Sequence, residues 1–205
     1  MEIKENLLIH SICLALCSMS LWAEASTNQL SLQVGASQPF EFIWINSGQF
    51  VIGAPDSDKL AEAEEKPQRL VQIEHGFYLG RTTVTVGQFR QFVLETGYKT
   101  DAETDQRPRY QGGHGYNATS TFPFDDGYPF TAPVGSFKPN PWGLYDMIGN
   151  VFQWCADEIP GPPPKRILRG GCYNQNIELC RCAARGFAAP WGRYSYTGFR
   201  ILLAP

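Results

Sequence analysis

The sequence predicts a loop-rich domain of short strands with a single clear helix, a mixed α and β chain and not a helical bundle. Three observations carry this. The 205 residues include 20 Gly and 15 Pro, which interrupt helices and long strands. Apolar residues alternate in several short runs bounded by turn residues. One stretch, Thr85 to Thr96, joins helical periodicity to signals for both helix ends. Hydrophobic residues make up 43% and aromatics 13%, enough for a core. The length is that of one domain with at most a small extension.

In chain order, residues 1–25 read as an export signal. "LLIHSICLALCSMSLW" is a short apolar run, and "AEA" at Ala23 to Ala25 offers the small residues that signal peptidase needs. Lys4 lies between Glu2 and Glu5, so the positive start is weak. Cys17 follows Leu16 where a lipoprotein signal has a small residue, which favours plain cleavage near Ser26. The competing reading is a membrane anchor, but a span needs ~20 apolar residues, and His10 and Ser11 interrupt this one. No membrane span is expected after cleavage, and the expected location is periplasmic or extracellular. Residues 26–38 are small and polar, a flexible lead-in to a domain over 39–205.

"FEFIWINSGQFVIG" then reads as strand, turn, strand, and "DSDKLAEAEEKPQ" as a charged loop. "RLVQIEHGFYLG" returns to strand character. In the helix, Thr85 and Gln88 form a capping box, Val86, Phe89, Phe92 and Val93 share a face, and Gly97 suits the C-terminal cap. Residues 98–130 carry almost no periodicity, and loops of that length tend to be functional or ion-stabilised. "RILRGG" and "GFRILLA" read as strands on either side of the cysteine-rich tail.

The charge excludes two classes of partner. The net charge of −3 offers no field for nucleic acid or an anionic membrane. The export signal holds one basic residue (Lys4) of the chain's 17 and three acidic ones of the 20, so the remainder is nearly neutral. Cys13 and Cys17 leave with the signal. Cys155, Cys172, Cys180 and Cys182 remain as disulfide candidates in an oxidising compartment. Cys180 and Cys182 are too close in sequence to bridge each other well. The other pairings stay open: Cys172 with Cys180 or Cys182, and Cys155 with Cys172, Cys180 or Cys182.

"APVGSF", "GLYDMIGNV", "WCAD", "LRGG", "RCAARG" and "GFR" occur in this order between Ala132 and Arg200. With "FIWINSGQFVIG" and "TTVTVGQFRQFVLETGYKT" upstream, the series resembles the formylglycine-generating enzyme family, or sulfatase-modifying factors. The resemblance implies an α+β, C-type-lectin-like formylglycine-generating-enzyme fold with low regular secondary structure and bound calcium. It implies a range of activities. The oxidases use copper and O₂ to turn a sulfatase cysteine into formylglycine. Others act in ergothioneine synthesis or siderophore maturation, and others are binding domains.

Two departures qualify it. One helix section expected after "TGYKT" is missing, since the chain runs from "TDAETDQRPRYQ" to "GGHGYNAT". The oxidases also carry a pair of active cysteines between "RGG" and "AAR". Here that segment runs only from Cys172 to Cys180 and holds no pair at the family spacing. Ile177 stands where the second active cysteine would fall, and Cys182 matches a cysteine whose disulfide partner lies in the missing section. Cys172 and Cys180 are the remaining catalytic candidates, because two thiolates suit Cu(I), with Arg169, Arg181 and Arg185 as sources of positive charge.

The resemblance also implies two calcium sites. One would use the side chains of Asn117 and Asp126 and the carbonyls of Ala118 and Tyr128. The other would use Asp146, Gln153 and the carbonyls of Met147, Gly149 and Val151. Calcium takes roughly six to eight hard oxygens, which irregular loops supply. The oxidases offer Asn and Glu at the positions of Asp146 and Gln153, so one carboxylate is kept but moved. His75 and His114 show no ligand spacing. Trp142, Phe152, Trp154 and Trp191 read mostly as core. The expected function is an exported domain that binds a protein, peptide or glycan or assists maturation of an exported product. A copper-dependent oxidase acting on a cysteine substrate and a degenerate shortened remnant are the alternatives.

Overall fold

The computed structural model describes residues 23–26, 28–99 and 126–204. Among them, eleven short strands and one α-helix are joined by long irregular segments. β1 (Ala23–Ser26), β2 (Gln29–Leu32), β3 (Phe40–Ile45), β6 (Phe77–Gly80) and β11 (Leu202–Leu203) form an antiparallel sheet in that order. β7 (Phe152–Ile159), β8 (Lys165–Arg169) and β9 (Gly186–Ala188) form a second sheet, to which β10 (Thr197–Gly198) adds parallel beside β7. β4 (Gly48–Ile52) and β5 (Arg69–Ile73) make a separate two-stranded ribbon.

The strands around "NSG" are present, but they are not partners. β3 joins the first sheet and β4 pairs with β5. The Pro-rich break "IPGPPPK" connects β7 to β8, whose register shifts between Trp154 and Glu158.

Residues 26–38 are not a free lead-in. Leu30, Leu32 and Val34 alternate, β2 pairs with β3, and Val34 is fully buried. The stretch reads as polar because the residues between these apolar positions, Ser31 and Gln33, are polar, yet period-2 spacing is enough to seal one face of a sheet. Val34, Phe40, Phe42 and Ile201 form the first core, and Phe152, Leu168, Cys172, Ala188 and Tyr196 the second.

Helix α1 (Val86–Thr96) keeps both predicted caps. Thr85 accepts from the Gln88 N–H at 3.1 Å while the Gln88 side chain accepts from the Thr85 N–H at 3.0 Å. Gly97 closes the helix at φ 65°, donating to Val93. The buried side differs from the predicted stripe, because Val86 is exposed and the buried residues are Gln88 and Phe92. Gln88 donates to the carbonyls of Gln38 and Pro39, and Phe89 meets Phe199 edge to face at 5.8 Å. Phe199 belongs to the first core's surround, so the helix docks on that sheet.

Candidate functional site

The segment from Phe130 to Val151 has no regular secondary structure, so side chains must satisfy its backbone. Asn140 accepts from the N–H groups of Trp142 and Leu144, each at 3.0 Å. The Asn150 amide pairs with both backbone groups of Ala132 at 3.2 Å. Asp146 accepts through Oδ2 from the Gly135 N–H at 2.8 Å. Asp146 and Asn150 both take left-handed φ, 52° and 59°, which these short polar residues tolerate. "YDMIGN" thereby turns sharply before entering β7.

Arg200, from the "GFR" of the last segment, ties this loop to both sheets. Its guanidinium donates to the Tyr145 and Gly80 carbonyls, each at 2.6 Å, and its Nε donates to Gln153 Oε1 at 3.1 Å. Burial lowers its pKa to about 10, opposed by the negative charge of Asp146. Sequence reasoning treats "GFR" as framework and misses this role. The available signal was a lone arginine inside the otherwise apolar run "GFRILLA".

The implied calcium ligands fare unequally. Asp146 is buried, and its Oδ1 has no hydrogen-bond partner, which suits a cation ligand. Gln153 does not suit one, because its oxygen already accepts from Arg200 while its nitrogen donates to the Asp146 carbonyl at 3.0 Å. Asp146 thus keeps a buried oxygen without a partner, whereas both ends of the Gln153 amide are engaged. Of the other set, Asn117 and Ala118 lie outside the described residues, as does His114. Asp126 accepts from the Tyr128 N–H in a local turn at 2.9 Å, and Tyr128 packs on Phe137. Among the described residues no group of three or more His, Cys, Asp or Glu could hold a metal ion.

Cys155, Cys172, Cys180 and Cys182 all stand as free thiols. Cys172 is fully buried in the second core, with its Sγ 3.1 Å from Asn174 Oδ1. Burial pushes it up to about 12, the backbone N–H groups of Asn174 and Phe152 opposing only weakly. Cys180 is raised by burial, partly offset by Gly149. Its Sγ sits over Gly171, where a Cβ would come within 2.3 Å. Cys155, half-buried on β7, is pushed by burial to about 11 despite the nearby positive charge of Arg169. Cys182 is exposed.

Arg169 and Arg181 are engaged elsewhere, and Arg185 Nε is buried without a hydrogen-bond partner. Arg169 donates to the carbonyls of Cys182, Ala183 and Ala184 at 3.3, 2.8 and 2.9 Å. Arg181 grips Glu65 at 2.9 and 3.2 Å and Asp58 at 3.1 Å, and donates to the Leu60 carbonyl.

Phe152 is core and Trp154 packs against it, but Trp142 is 66% exposed, contrary to the expectation of a core residue. Phe130, Ile148 and Phe137 are also exposed. His75 is exposed on the turn after β5.

Comparison with known proteins places this arrangement. The chain is 37% identical over 110 residues to the formylglycine-generating enzyme of Thermomonospora curvata, covering 42% of this chain and 36% of that protein. It is 40% identical over 87 residues to the serine/threonine-protein kinase pkn1 of Chlamydia pneumoniae, covering 34% of this chain and 14% of that one. The chain thus spans about a third or less of the length of these curated relatives. Among solved structures, PvdO from Pseudomonas aeruginosa superposes with a TM-score of 0.68 at 22% identity, over 88% of this chain and 100% of that one. It shares the fold, the C-type-lectin-like α+β architecture expected from the sequence. The family model of the sulfatase-modifying factor enzyme 1-like domain matches residues 30–124 and 112–205, and the chain belongs to that family.

Proposed function

We propose that this chain is an exported, non-oxidase member of its family, which binds a protein, peptide or glycan or assists the maturation of an exported product. One observation carries the reading. Cysteine chemistry runs through the thiolate, yet Cys172 is fully buried and held protonated by burial, and Cys180 beside it is buried and raised as well. Cys182 is exposed, but the other three thiols are wholly or partly buried. The binding half is supported by the exposed apolar side chains of Phe130, Trp142 and Ile148, which the segment before β7 offers to a partner.

The test has two arms. The copper-loaded mature chain is incubated with oxygen and a cysteine-bearing peptide, and the peptide is followed by mass spectrometry. It is expected to remain a thiol. Conversion to the aldehyde, lost in Cys172→Ser and Cys180→Ser, would restore the oxidase reading. In the second arm, glycan and peptide arrays are probed with wild type and with Trp142→Ala and Phe130→Ala. Binding that weakens in either variant is expected, and no binding by wild type on either array would refute that half.

A further inference from the structure

We propose that the Asp146 loop closes without calcium, because Gln153 turns the nitrogen of its amide, and not the oxygen, toward the loop. A side-chain amide has one acceptor end and one donor end. Arg200 can only donate, and its Nε lies 3.1 Å from Gln153 Oε1. The opposite end, Nε2, donates to the Asp146 carbonyl at 3.0 Å. Exchanging the two ends would set an N–H₂ against the Arg200 N–H and an oxygen against a carbonyl oxygen. Both contacts are repulsive, so the network itself fixes the orientation.

The donor end also lies near one of the remaining ligand positions, the Met147 carbonyl. A Cβ placed on Gly170 would lie 3.1 Å from the Met147 carbonyl oxygen and 3.6 Å from Gln153 Nε2, so the two flank one small space. A cation there would meet amide hydrogens where it needs an oxygen. Charge is balanced without it. Arg200 brings a buried positive charge that interacts with Asp146, and three of its nitrogens hold Gln153, Gly80 and Tyr145 in place. A carboxylate at position 153 would behave differently, since one oxygen could keep Arg200 while the other faced the loop. Gln153 thus presents a donor where a cation needs an oxygen, and Asp146 Oδ1 stays without a partner.

Calcium is titrated calorimetrically into the mature wild type, Gln153→Glu and Asp146→Gly, and melting temperatures are compared in calcium and in chelator. Glycine is chosen because position 146 has φ 52°. Wild type is expected to melt at the same temperature in both buffers. Gln153→Glu is expected to melt higher in calcium and to bind it at least about tenfold tighter than wild type, since ligand charge tunes affinity. A wild-type melting temperature that rises with calcium, and stops rising in Asp146→Gly, would overturn the proposal. A rise that survives Asp146→Gly assigns calcium to another loop and supports it. Should Gln153→Glu fail to fold, the wild-type and Asp146→Gly arms decide alone. None of these readouts depends on oxidase or array activity.

Discussion

Replacing Arg181 with alanine should destabilise this domain far more than its position near the surface suggests. The Glu65 carboxylate is 3% exposed and holds Arg181 through both oxygens, at 2.9 and 3.2 Å. Arg181 also bonds Asp58 and the Leu60 carbonyl, so one guanidinium fastens the charged 58–65 loop to the cysteine segment. Alanine would leave the Glu65 charge buried without a bonded cation, with only the more distant charge of Arg169 still acting on it. Removing one partner of a buried pair costs about 3–5 kcal/mol. Arg181 retains 22% side-chain exposure, through which water can reach the vacated space, so the lower end, about 3 kcal/mol, applies. Glu65→Gln should cost less, about 1–2 kcal/mol, because Arg181 keeps Asp58 and Leu60 and no unpaired charge is buried. Urea unfolding of the three proteins at one pH measures both, provided the slopes agree. A loss under about 1 kcal/mol for Arg181→Ala would match an exposed surface pair and refute the argument.

Other consequences can be checked in the same way. Thr85→Ala removes the acceptor of the Gln88 N–H and should cost about 1 kcal/mol, read as a lower melting temperature. Gly171→Ala and Gly97→Ala both force alanine into left-handed backbone, at φ 72° and 65°. Only the first also drives a Cβ to 2.3 Å from Cys180 Sγ, so its loss should exceed the ~1–2 kcal/mol of Gly97→Ala by at least about 1 kcal/mol. Equal losses would mean that Cys180 moves aside freely. The Cys172 thiol is raised from 9.0 in the unfolded chain to about 12 in the fold, so it keeps its proton in the fold when the unfolded chain has lost it. Its contribution is therefore complete below pH 9 and declines toward pH 12, by about 1.4 kcal/mol per pH unit. Stability measured across that window should fall less steeply in Cys172→Ala than in wild type.

What the sequence determined by itself was local or carried by motif. The capping box and Gly97 were legible because every bond in them joins residues only three or four apart. The ordered series from "APVGSF" to "GFR" carried the family and with it the fold. Tertiary structure alone decided the rest, because the deciding partners are remote in the chain. Nothing near β4 says that it leaves β3 and pairs with β5. The apolar stripe of α1 set Val86 beside Phe89, Phe92 and Val93, but the sheet underneath buries Phe92 together with Gln88 and leaves Val86 exposed. Arg181 meets Glu65 across 116 positions of sequence, and a charged loop with a distant arginine looks like solvated surface until the two meet. Gln153 reads as a calcium ligand by its place in a motif. Its amide is oriented by Arg200, 47 residues away, and that orientation decides whether an oxygen or a nitrogen faces the loop.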